Sequence, residues 1–418
     1  MRFIHTADIH LDSPLRGLSA YEDAPTDMLR TATRDAFSNL VGEAISEQVD
    51  FMIIAGDLYD GTWKDFNTGI FFVHQMGRLK KAGIPVYLLF GNHDAESDMT
   101  KKLALPDNVH AFPSKKAVTF EIESLRVAIH GRSFKDAATT ENLAVHYPDP
   151  VDGWLNIGVL HTALEGNSAH ANYAPCTIAE LEARGYQYWA LGHVHDHQIW
   201  RGSSVIAFPG NLQGRHIRET GPKAALIVTA EDGQIETVEQ LHTDVLRWYA
   251  LDVDVSGASS VDEVVLLAGQ GMGRLVDSSG GSLPLAVRVT LSGQCAVHGL
   301  LWGSEARLRA EVIAQAASVA GDRLWIEKVK VATQPKSSAS AVAGRSDAIA
   351  DLQSLLAAAE NDAALMKELQ EDLMLLIGML PQEVFATLPQ VETIRSGDVK
   401  ELIRAVVPSL IDHLSLEG

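Results

Sequence analysis

The stretch Val86-Tyr87-Leu88-Leu89-Phe90-Gly91-Asn92-His93-Asp94 joins an apolar run to a group of polar, chemically active residues. Its first five residues are apolar, which is typical of a buried parallel strand. The strand runs into a glycine, and an amide, an imidazole and a carboxylate follow, each able to bind a metal ion or move a proton. Because open α/β sheets bind ligands at the carboxyl ends of their strands, the stretch predicts a functional site directly after the strand.

Two earlier strands end in the same kinds of residues. Residues 2–7 are predicted to form an apolar strand that ends in Asp8-Ile9-His10, and residues 51–55 a buried strand that ends in Gly56-Asp57. Alternate residues of a strand point the same way, so the aspartate and histidine of the first motif can both reach one cation. Helical periodicity separates the three strands at 26–49 and 66–82. This alternation indicates βαβ organisation with parallel strands.

The next part of the chain predicts more strands than helices. Apolar runs indicate strands at 125–130, 156–160, 188–191, 204–208 and 224–229. Two of these strands again run into imidazoles, at His161 and at Gly192-His193-Val194-His195. The segment Thr177-Ile178-Ala179-Glu180 has the pattern of a capping box and predicts the start of a short helix. Residues 209–218 are interpreted as a polar loop with two arginines.

Length and composition limit the classes of protein. A chain of 418 residues is too long for one ordinary core, so we expect two or three domains. The net charge of −20 argues against unaided, tight, nonspecific nucleic-acid binding, but it is compatible with a carboxylate-rich metal site. There is no run of about 18 apolar residues, Cys176 and Cys295 lie in no motif, and we expect no signal peptide because Met1-Arg2-Phe3 enters a predicted strand at once. We therefore expect a cytoplasmic protein with reduced thiols and no membrane partner.

The strand ends together supply a set of oxygen and imidazole ligands. The predicted ligands are Asp8, His10, Asp57, Asn92, His161, His193 and His195. The set contains no thiolate, so it suits Mn²⁺, Fe or Zn in a two-metal centre better than a structural zinc site. A carboxylate between two cations can bridge them, and Asp57 is the candidate for that position. Two such cations can share a water and activate it for in-line attack on phosphorus.

The motifs resemble, in their usual order, those of the calcineurin-like metallophosphoesterases. The matching segments are Asp8-x-His10, Gly56-Asp57-x-x-Asp60, Gly91-Asn92-His93-Asp94, Gly158-x-x-His161 and Gly192-His193-x-His195. The amino-acid sequences of residues 5–15 (HTADIHLDSPL) and 208–225 (FPGNLQGRHIRETGPKAA) look like the corresponding segments of the SbcD-type DNA repair nucleases. The resemblance covers about residues 1–330. It implies an α/β fold in which a metallophosphoesterase β-sandwich is flanked by helices (αββα).

The resemblance also implies a role for each matched residue. Asp8, His10, Asp57 and His195 would hold one ion, and Asp57, Asn92, His161 and His193 the other. Mn²⁺ is the first expectation for both ions, with Fe or Zn as alternatives. His93 would contact the scissile phosphate and help protonate the leaving oxygen, and Asp94 would orient His93. Asp60 is expected beside the site or as a turn cap, and Arg215 and Arg218 as a phosphate clamp or on the surface.

The sequence pattern changes after residue 244, which predicts four segments. They are a metallophosphoesterase domain at 1–244, a small α+β cap domain at 245–332, a linker at 333–346 and a helical segment at 347–418. The linker is assigned from its small and polar residues. The helical segment has two leucine stripes and a surplus of acidic residues, so it predicts a ligand for a partner protein better than a DNA binder.

The resemblance to SbcD-type nucleases implies a partner for the helical segment. In that family the C-terminal helices dock on the coiled-coil base of an SbcC-type, SMC-like ATPase. A self-packed helical subdomain is the alternative for this chain, and a homodimer is left open as well. The interpretation is therefore a manganese-dependent DNA phosphodiesterase, an exonuclease or endonuclease that acts as the nuclease subunit of a two-protein repair complex.

Two other functions are kept as alternatives. The first is a phosphatase or small-molecule phosphodiesterase of the same superfamily. The SbcD-like sequences at 5–15 and 208–225 and the helical segment at 347–418 argue against it. The second is a non-catalytic, metal-bound adaptor for a DNA-repair ATPase. The pair of His93 and Asp94 argues against the adaptor, because a purely structural metal site has no use for such a pair.

Overall fold

The computed structural model describes most of the chain and divides it into two compact units. The described residues are 1–15, 26–60, 66–96, 104–136, 138–164, 173–302, 304–336, 348–359, 361–378 and, near the end, 394–395, 399–403, 406–407 and 410. The first unit consists of Met1–Tyr249 and Leu283–Ala286, and the second of Ala250–Ser282 and Val287–Gly418.

The first unit contains two six-stranded sheets in its described part. The first sheet comprises β1 (Arg2–Thr6), β2 (Phe51–Ala55), β3 (Val86–Leu89), β4 (Val109–Ala111), β11 (Ala224–Glu231) and β12 (Gln234–His242). The second comprises β5 (Val118–Ile122), β6 (Val127–Gly131), β7 (Leu155–His161), β8 (Tyr188–Gly192), β9 (Gln198–Arg201) and β10 (Val205–Phe208). The strand orders are β12-β11-β1-β2-β3-β4 and β5-β6-β7-β8-β10-β9.

Parallel pairing aligns the strand ends that carry the predicted site. β1 pairs in parallel with β2, where Phe3 lies opposite Phe51, and β2 pairs in parallel with β3. In the second sheet β7 and β8 are also parallel, and His161 lies opposite Gly192 at their ends. Because parallel strands end at the same edge of a sheet, the loops after β1, β2 and β3 leave the first sheet together, and those after β7 and β8 leave the second together.

Helices of the first unit follow the predicted periodicity. The described helices are α1 (Thr26–Ser46), α2 (Phe66–Lys81), α3 (Asn92–Glu96) and α4 (Ile178–Ala183). One face of α1 is buried, including Ala36, Phe37 and Leu40, as its three- and four-residue spacing requires. The capping box that opens α4 is present, since the Thr177 side chain accepts from Glu180 N and the Glu180 side chain accepts from Thr177 N.

Alternation along the strands builds three apolar layers. The layer between the two sheets includes Phe3, Phe51, Tyr87, Ile129 and Tyr188. The outer layer of the first sheet joins Ile4, Met52 and Leu88 to Phe37 of α1 and Phe72 of α2. The outer layer of the second sheet joins Trp189, Leu191 and Phe208 to Leu181 of α4. Successive residues of one strand thus enter different layers, and the fold is the predicted α/β β-sandwich flanked by helices.

The second unit has a small sheet with helices in its described part. The strands are β13 (Arg247–Asp254), β14 (Leu285–Cys295) and β15 (Leu324–Pro335), in the order β13-β14-β15, and the first residues of β13 and β14, up to Tyr249 and Ala286, are counted in the first unit. The helices of the second unit are α5 (Val261–Ser278), α6 (His298–Leu301), α7 (Glu305–Ala320), α8 (Ala348–Ala359) and α9 (Ala363–Gly378). Helix α5 approaches α7 closely at Gly269, where a Cβ would collide with the Gln315 side chain.

Several boundaries differ from the sequence prediction. β15 extends to Pro335, so this strand includes the first three residues of the predicted linker at 333–346. Residues 337–346 of that linker, and 379–393 of the helical segment, lie outside the described residues. The strands β4, β5, β9 and β12 were not predicted; every residue of β12 keeps some exposure, so it lacks the apolar run of an interior strand. Among the described helices, none combines the length and apolar character needed to span a membrane.

Candidate metal centre

The loops after β1 and β2 continue the hydrogen bonding of their strands, and several of their residues have positive φ angles. Asp8 N donates to Gly56 O at 3.0 Å, and His10 N donates to Asp57 O at 3.0 Å. The φ angles of Asp8, His10 and Asp57 are 49°, 44° and 51°, in the left-handed region. Side-chain-bearing residues rarely adopt this conformation, and it persists where surrounding contacts enforce it, often at functional sites.

One set of candidate ligands consists of Asp8, His10 and His195. Their ligand atoms all lie within 4.8 Å of one another. Nε2 of His195 lies 3.3 Å from Nε2 of His10 and 3.9 Å from Oδ1 of Asp8. The backbone N–H of His193 donates to both oxygens of Asp8, at 3.1 and 2.9 Å. This set is buried except at His195, whose side chain is 21% exposed.

A second, fully buried set consists of Asp57, His161 and His193, whose ligand atoms also lie within 4.8 Å of one another. Nε2 of His161 lies 3.5 Å from Oδ2 of Asp57 and 2.9 Å from Oδ1 of Asn92. The same Oδ2 of Asp57 lies 3.9 Å from Nε2 of His10 in the first set. Asp57 therefore lies between the two sets, where a bridging carboxylate is expected.

The atoms that converge in the second set favour an added positive charge. Nδ1–H of His161 donates to Ala55 O at 3.0 Å, so in the neutral ring Nε2 presents a lone pair to the oxygens of Asn92 and Asp57. Burial alone lowers the pKa of His161, but the charge and hydrogen bond of Asp57, the charge of Asp8 and the hydrogen bond to Ala55 O together outweigh burial and raise this pKa to about 9. A divalent cation supplies such a charge, and sets of imidazole and oxygen ligands fit catalytic metal sites.

Two motif glycines leave room for the second set. A Cβ on Gly91 would collide with the Asp57 carboxylate and with the His161 ring. A Cβ on Gly56, whose φ is 100°, would collide with the same ring. Both glycines thus let the backbone approach Asp57 and His161 more closely than any other residue allows.

His93 differs from the candidate ligands in its exposure and contacts. Its side chain is 40% exposed, and its ring packs edge-on against that of His10, with centroids 5.1 Å apart. Its backbone N–H donates to Oδ1 of Asp57 at 3.1 Å. Nδ1 lies 3.4 Å from Oδ1 of Asp60. His93 therefore lies beside the two sets with an open side, and Asp60, whose place the sequence left undecided, lies beside the His93 ring.

Asp94 is buried and joins the loops that follow β2 and β3. It accepts hydrogen bonds from backbone N–H groups of Leu58 at 3.2 Å, Tyr59 at 2.9 Å and Gly91 at 3.0 Å. Burial, and then the charge of Asp57, raise the pKa of Asp94 to about 7, against the effect of these hydrogen bonds. The carboxylate that lies beside the His93 ring is that of Asp60, so the orientation of His93 by Asp94 stays a prediction.

The loop after β10 adds a carboxylate that the sequence did not indicate. Oε1 of Glu219 accepts from Nδ1–H of His195 at 2.8 Å and from Nη2 of Arg215 at 3.0 Å. Burial alone would raise the pKa of Glu219, but the hydrogen bond from His195 and the charge of Arg215 hold it well below its usual range. Arg218 is exposed. The clamping of phosphate by Arg215 and Arg218 stays a prediction, and no motif spacing marks Glu219.

Comparisons with known families match two parts of the chain. A family model described as calcineurin-like phosphoesterase matches residues 1–197, and one described as the middle domain of metallophosphoesterase YhaO matches residues 248–334. The chain is 36% identical over 297 residues to the uncharacterized metallophosphoesterase YhaO of Bacillus subtilis. This match covers 70% of the chain and 72% of that relative.

More distant similarities extend to named repair proteins and solved structures. The DNA double-strand break repair protein Mre11 of Sulfurisphaera tokodaii is 25% identical over 61% of the chain and 66% of its own length. That of Methanopyrus kandleri is 26% identical over 47% of the chain and 44% of its own length. The protein TT1561 of Thermus thermophilus and a dimetal phosphatase from Danio rerio are each 12% identical, with TM-scores of 0.34 and 0.33. They cover 57% and 55% of the chain, and 98% and 92% of their own lengths.

Proposed function

Because the chain belongs to the calcineurin-like metallophosphoesterase family, we propose that it is a metal-dependent hydrolase of DNA phosphodiester bonds. The observation that carries the proposal is the place of Asp57, whose Oδ2 lies 3.5 Å from His161 Nε2 and 3.9 Å from His10 Nε2. One carboxylate thus lies between two ligand sets, which supports a bridging role. DNA as the substrate is supported by similarity to two proteins named for DNA double-strand break repair and by the SbcD-like wording at 5–15 and 208–225.

The proposed reaction assigns separate tasks to the two ligand sets and to His93. Two divalent ions, for which we propose Mn²⁺, would activate a water and offset the charge of the phosphate oxygens. Asp57 would fix the position of one ligand set relative to the other. Its Oδ1 accepts a hydrogen bond from the backbone N–H of His93 at 3.1 Å. With Asp60 beside Nδ1, His93 keeps Nε2 for the substrate. A half-exposed imidazole there can donate to a phosphate oxygen and assist departure of the leaving alkoxide.

The overall charge of the chain bears on how DNA is bound. A net charge of −20 repels a polyanion, so nonspecific attraction does not supply the affinity. We propose an SbcD-type assembly in which the helical segment at 347–418 docks on an SbcC-type ATPase that helps hold the DNA. Support comes from apolar side chains exposed on α8 and α9, namely Leu355 at 68%, Leu375 at 65% and Leu376 at 60%. Exposed apolar helix faces of this kind are typical of partner binding.

Hydrolysis of end-labelled DNA by the full chain tests the proposed activity. With Mn²⁺ we expect cleavage of single- or double-stranded DNA that EDTA abolishes and that His195→Ala removes. His146→Ala is a matched control, since His146 is an exposed histidine of the same unit that belongs to neither ligand set. Faster turnover of p-nitrophenyl phosphate than of DNA would indicate a phosphatase. Two bound ions without turnover of any phosphoester would indicate a non-catalytic adaptor.

Deletion of residues 345–418 tests the proposed docking segment. The truncated chain should keep Mn²⁺-dependent hydrolysis of a short single-stranded DNA within a few-fold, and it should lose binding to the ATPase. Leu375→Glu should weaken binding in the full chain, whereas Ile70→Glu should not, because Ile70 is similarly exposed, at 62%, but lies on α2 of the first unit. Partner binding that survives the deletion would contradict the docking role.

A further inference from the structure

Glu219 anchors the ring of His195 through a fully used carboxylate. Its Oε1 accepts from Nδ1–H of His195 at 2.8 Å and from Nη2 of Arg215 at 3.0 Å. Its Oε2 accepts from the backbone N–H of Arg215 at 2.7 Å and from Nδ2 of Asn211 at 3.0 Å. The glutamate is 5% exposed and Asn211 is fully buried, so this arrangement is rigid. A carboxylate at Nδ1 sets the tautomer and plane of a histidine ring and leaves Nε2 for a metal ion.

Arg215 extends this anchor towards His93. Nη1 of Arg215 donates to Oγ of Ser13 at 3.4 Å, and the Ser13 hydroxyl donates to Oδ2 of Asp60 at 2.8 Å. A hydroxyl can accept and donate at once, so one orientation of Ser13 satisfies both contacts. Oδ1 of Asp60 lies 3.4 Å from Nδ1 of His93 and 3.8 Å from Nδ1 of His10. We define the positioning line as Glu219, Arg215, Ser13 and Asp60. It connects His195, a candidate ligand, with His93, the residue proposed to contact the substrate.

We propose that Glu219 and Arg215 are positioning residues that hold His195 in its ligating orientation and thereby set the affinity of the ion bound by its ligand set. The proposal rests on the proposed metal centre, but it does not depend on DNA as the substrate. His161, in the other set, has a different anchor, the main-chain oxygen of Ala55. Loss of the Glu219 anchor should therefore lower the affinity of the ion bound by the His195 set and leave the affinity of the other ion unchanged.

The proposal reassigns Arg215, for which the sequence suggested a phosphate clamp. Its side chain is 13% exposed, and its backbone and guanidinium N–H groups contact Glu219 and Ser13. If Arg215 clamped phosphate instead, its substitution would change the KM for substrate and leave metal affinity unchanged. Metal affinity therefore distinguishes the two roles.

Titration of the metal-free full chain with Mn²⁺ tests the proposal, with free Mn²⁺ followed by electron paramagnetic resonance. The unsubstituted chain should bind two ions. Glu219→Gln should weaken one of them by about 10–100-fold, the usual effect of changing a partner of a metal-binding histidine, and leave the other within about twofold. Glu327→Gln is the matched control and should titrate like the unsubstituted chain. Glu327 is equally buried, at 6%, and accepts two hydrogen bonds from Arg288, at 2.7 and 2.6 Å, in the second unit.

Two results would overturn the proposal. Glu219→Gln could bind both ions with unchanged affinity, or it could weaken both ions equally while the circular dichroism stays native. If Glu219→Gln does not fold, Arg215→Lys takes its place, because one ammonium cannot hold both Glu219 and Ser13 as a guanidinium does. That variant should weaken the same single ion by a smaller factor, and unchanged affinity would contradict the proposal. Since the readout is metal binding, a failure to cleave DNA affects only the proposed substrate.

Discussion

The two halves of the candidate metal centre are held in place by different parts of the protein. The half around His161 is fully buried, and a main-chain carbonyl, Ala55 O, fixes its ring. The half around His195 opens to solvent, and a side chain, that of Glu219, fixes its ring. A main-chain anchor moves only with its sheet, whereas a side-chain anchor changes with one substitution. We therefore expect the ion near His195 to exchange first.

Asp57→Asn should abolish ion binding in both halves of the metal centre, and it has the largest expected effect. The substitution takes away the charge that offsets repulsion between two cations at the position shared by both sets. We expect loss of both ions in metal analysis and no detectable Mn²⁺-dependent hydrolysis of bis(p-nitrophenyl) phosphate. Asp50→Asn is the control, since Asp50 lies at the opposite end of β2 and accepts from Arg2 N at 2.7 Å. Two ions bound to the Asp57→Asn variant would contradict the bridging role.

His161→Ala and His195→Ala should each remove one ion and abolish activity, but they should differ in stability. Loss of His161 empties a buried site and removes the hydrogen bond that Ala55 O accepts, which costs about 1–3 kcal/mol in addition to the cavity. Loss of the partly exposed His195 should cost less. Urea unfolding of both variants in EDTA measures the difference. Equal free energies of unfolding would show that the two halves are held equally.

His93→Leu should leave an ion bound in each half of the metal centre but slow the reaction. Because His93 belongs to neither ligand set, both ions should stay bound in metal analysis. We expect kcat to fall by about 10²–10⁴-fold, the usual range for acid–base assistance. His146→Leu serves as the control for an exposed histidine of the same unit. Loss of an ion from the His93→Leu variant would place His93 among the ligands.

Ser13→Ala should have the smallest effect, because it cuts the positioning line without touching a ligand. We expect about a fivefold lower kcat, equivalent to one hydrogen bond of ~1 kcal/mol, with both ions retained. In a His93→Leu background the same change should have no further effect, since Ser13 is expected to act through Asp60 and His93. Ser204→Ala, which removes a buried hydroxyl that donates to Tyr186 O at 2.6 Å, is the control. An undiminished effect of Ser13→Ala in the double variant would exclude this route.

Interior strands were predicted well because their burial is visible in the sequence. β2 has the predicted bounds, β1, β3 and β8 differ from prediction by one residue at one end, and β7 differs by one residue at each end. Each is mostly apolar and buried along almost its whole length, because both of its faces are covered. Edge strands such as β12 keep exposed residues along their length, so their pattern resembles that of a loop. The bounds of helices were less accurate, since α1 ends at Ser46 and not at residue 49.

The candidate ligands were found for a similar local reason. Each lies at the end of a strand or within a few residues after it, so a short motif such as Gly91-Asn92-His93-Asp94 contains both the strand end and the chemistry. Asp57 could be expected near the other strand ends without any known distance, because parallel strands end at one edge. Glu219 and Ser13 lie inside the SbcD-like segments 208–225 and 5–15, but they were assigned no role from the sequence, since neither follows directly after a predicted strand. Their contacts join distant parts of the chain, and the bond between Arg215 and Ser13 spans 202 positions.

Local apolar runs and residue identity were enough to predict the α/β class, the strand ends and the chemical types of the candidate ligands, and the family resemblance implied their division between two ions. The distances within the two ligand sets, the place of Asp60 beside His93 and the contact of Glu219 with His195 came from the tertiary structure alone. It also placed Arg215 against protein groups. Such pairings depend on how two sheets stack and how their loops meet, and no short-range pattern encodes distances between residues so far apart in the chain.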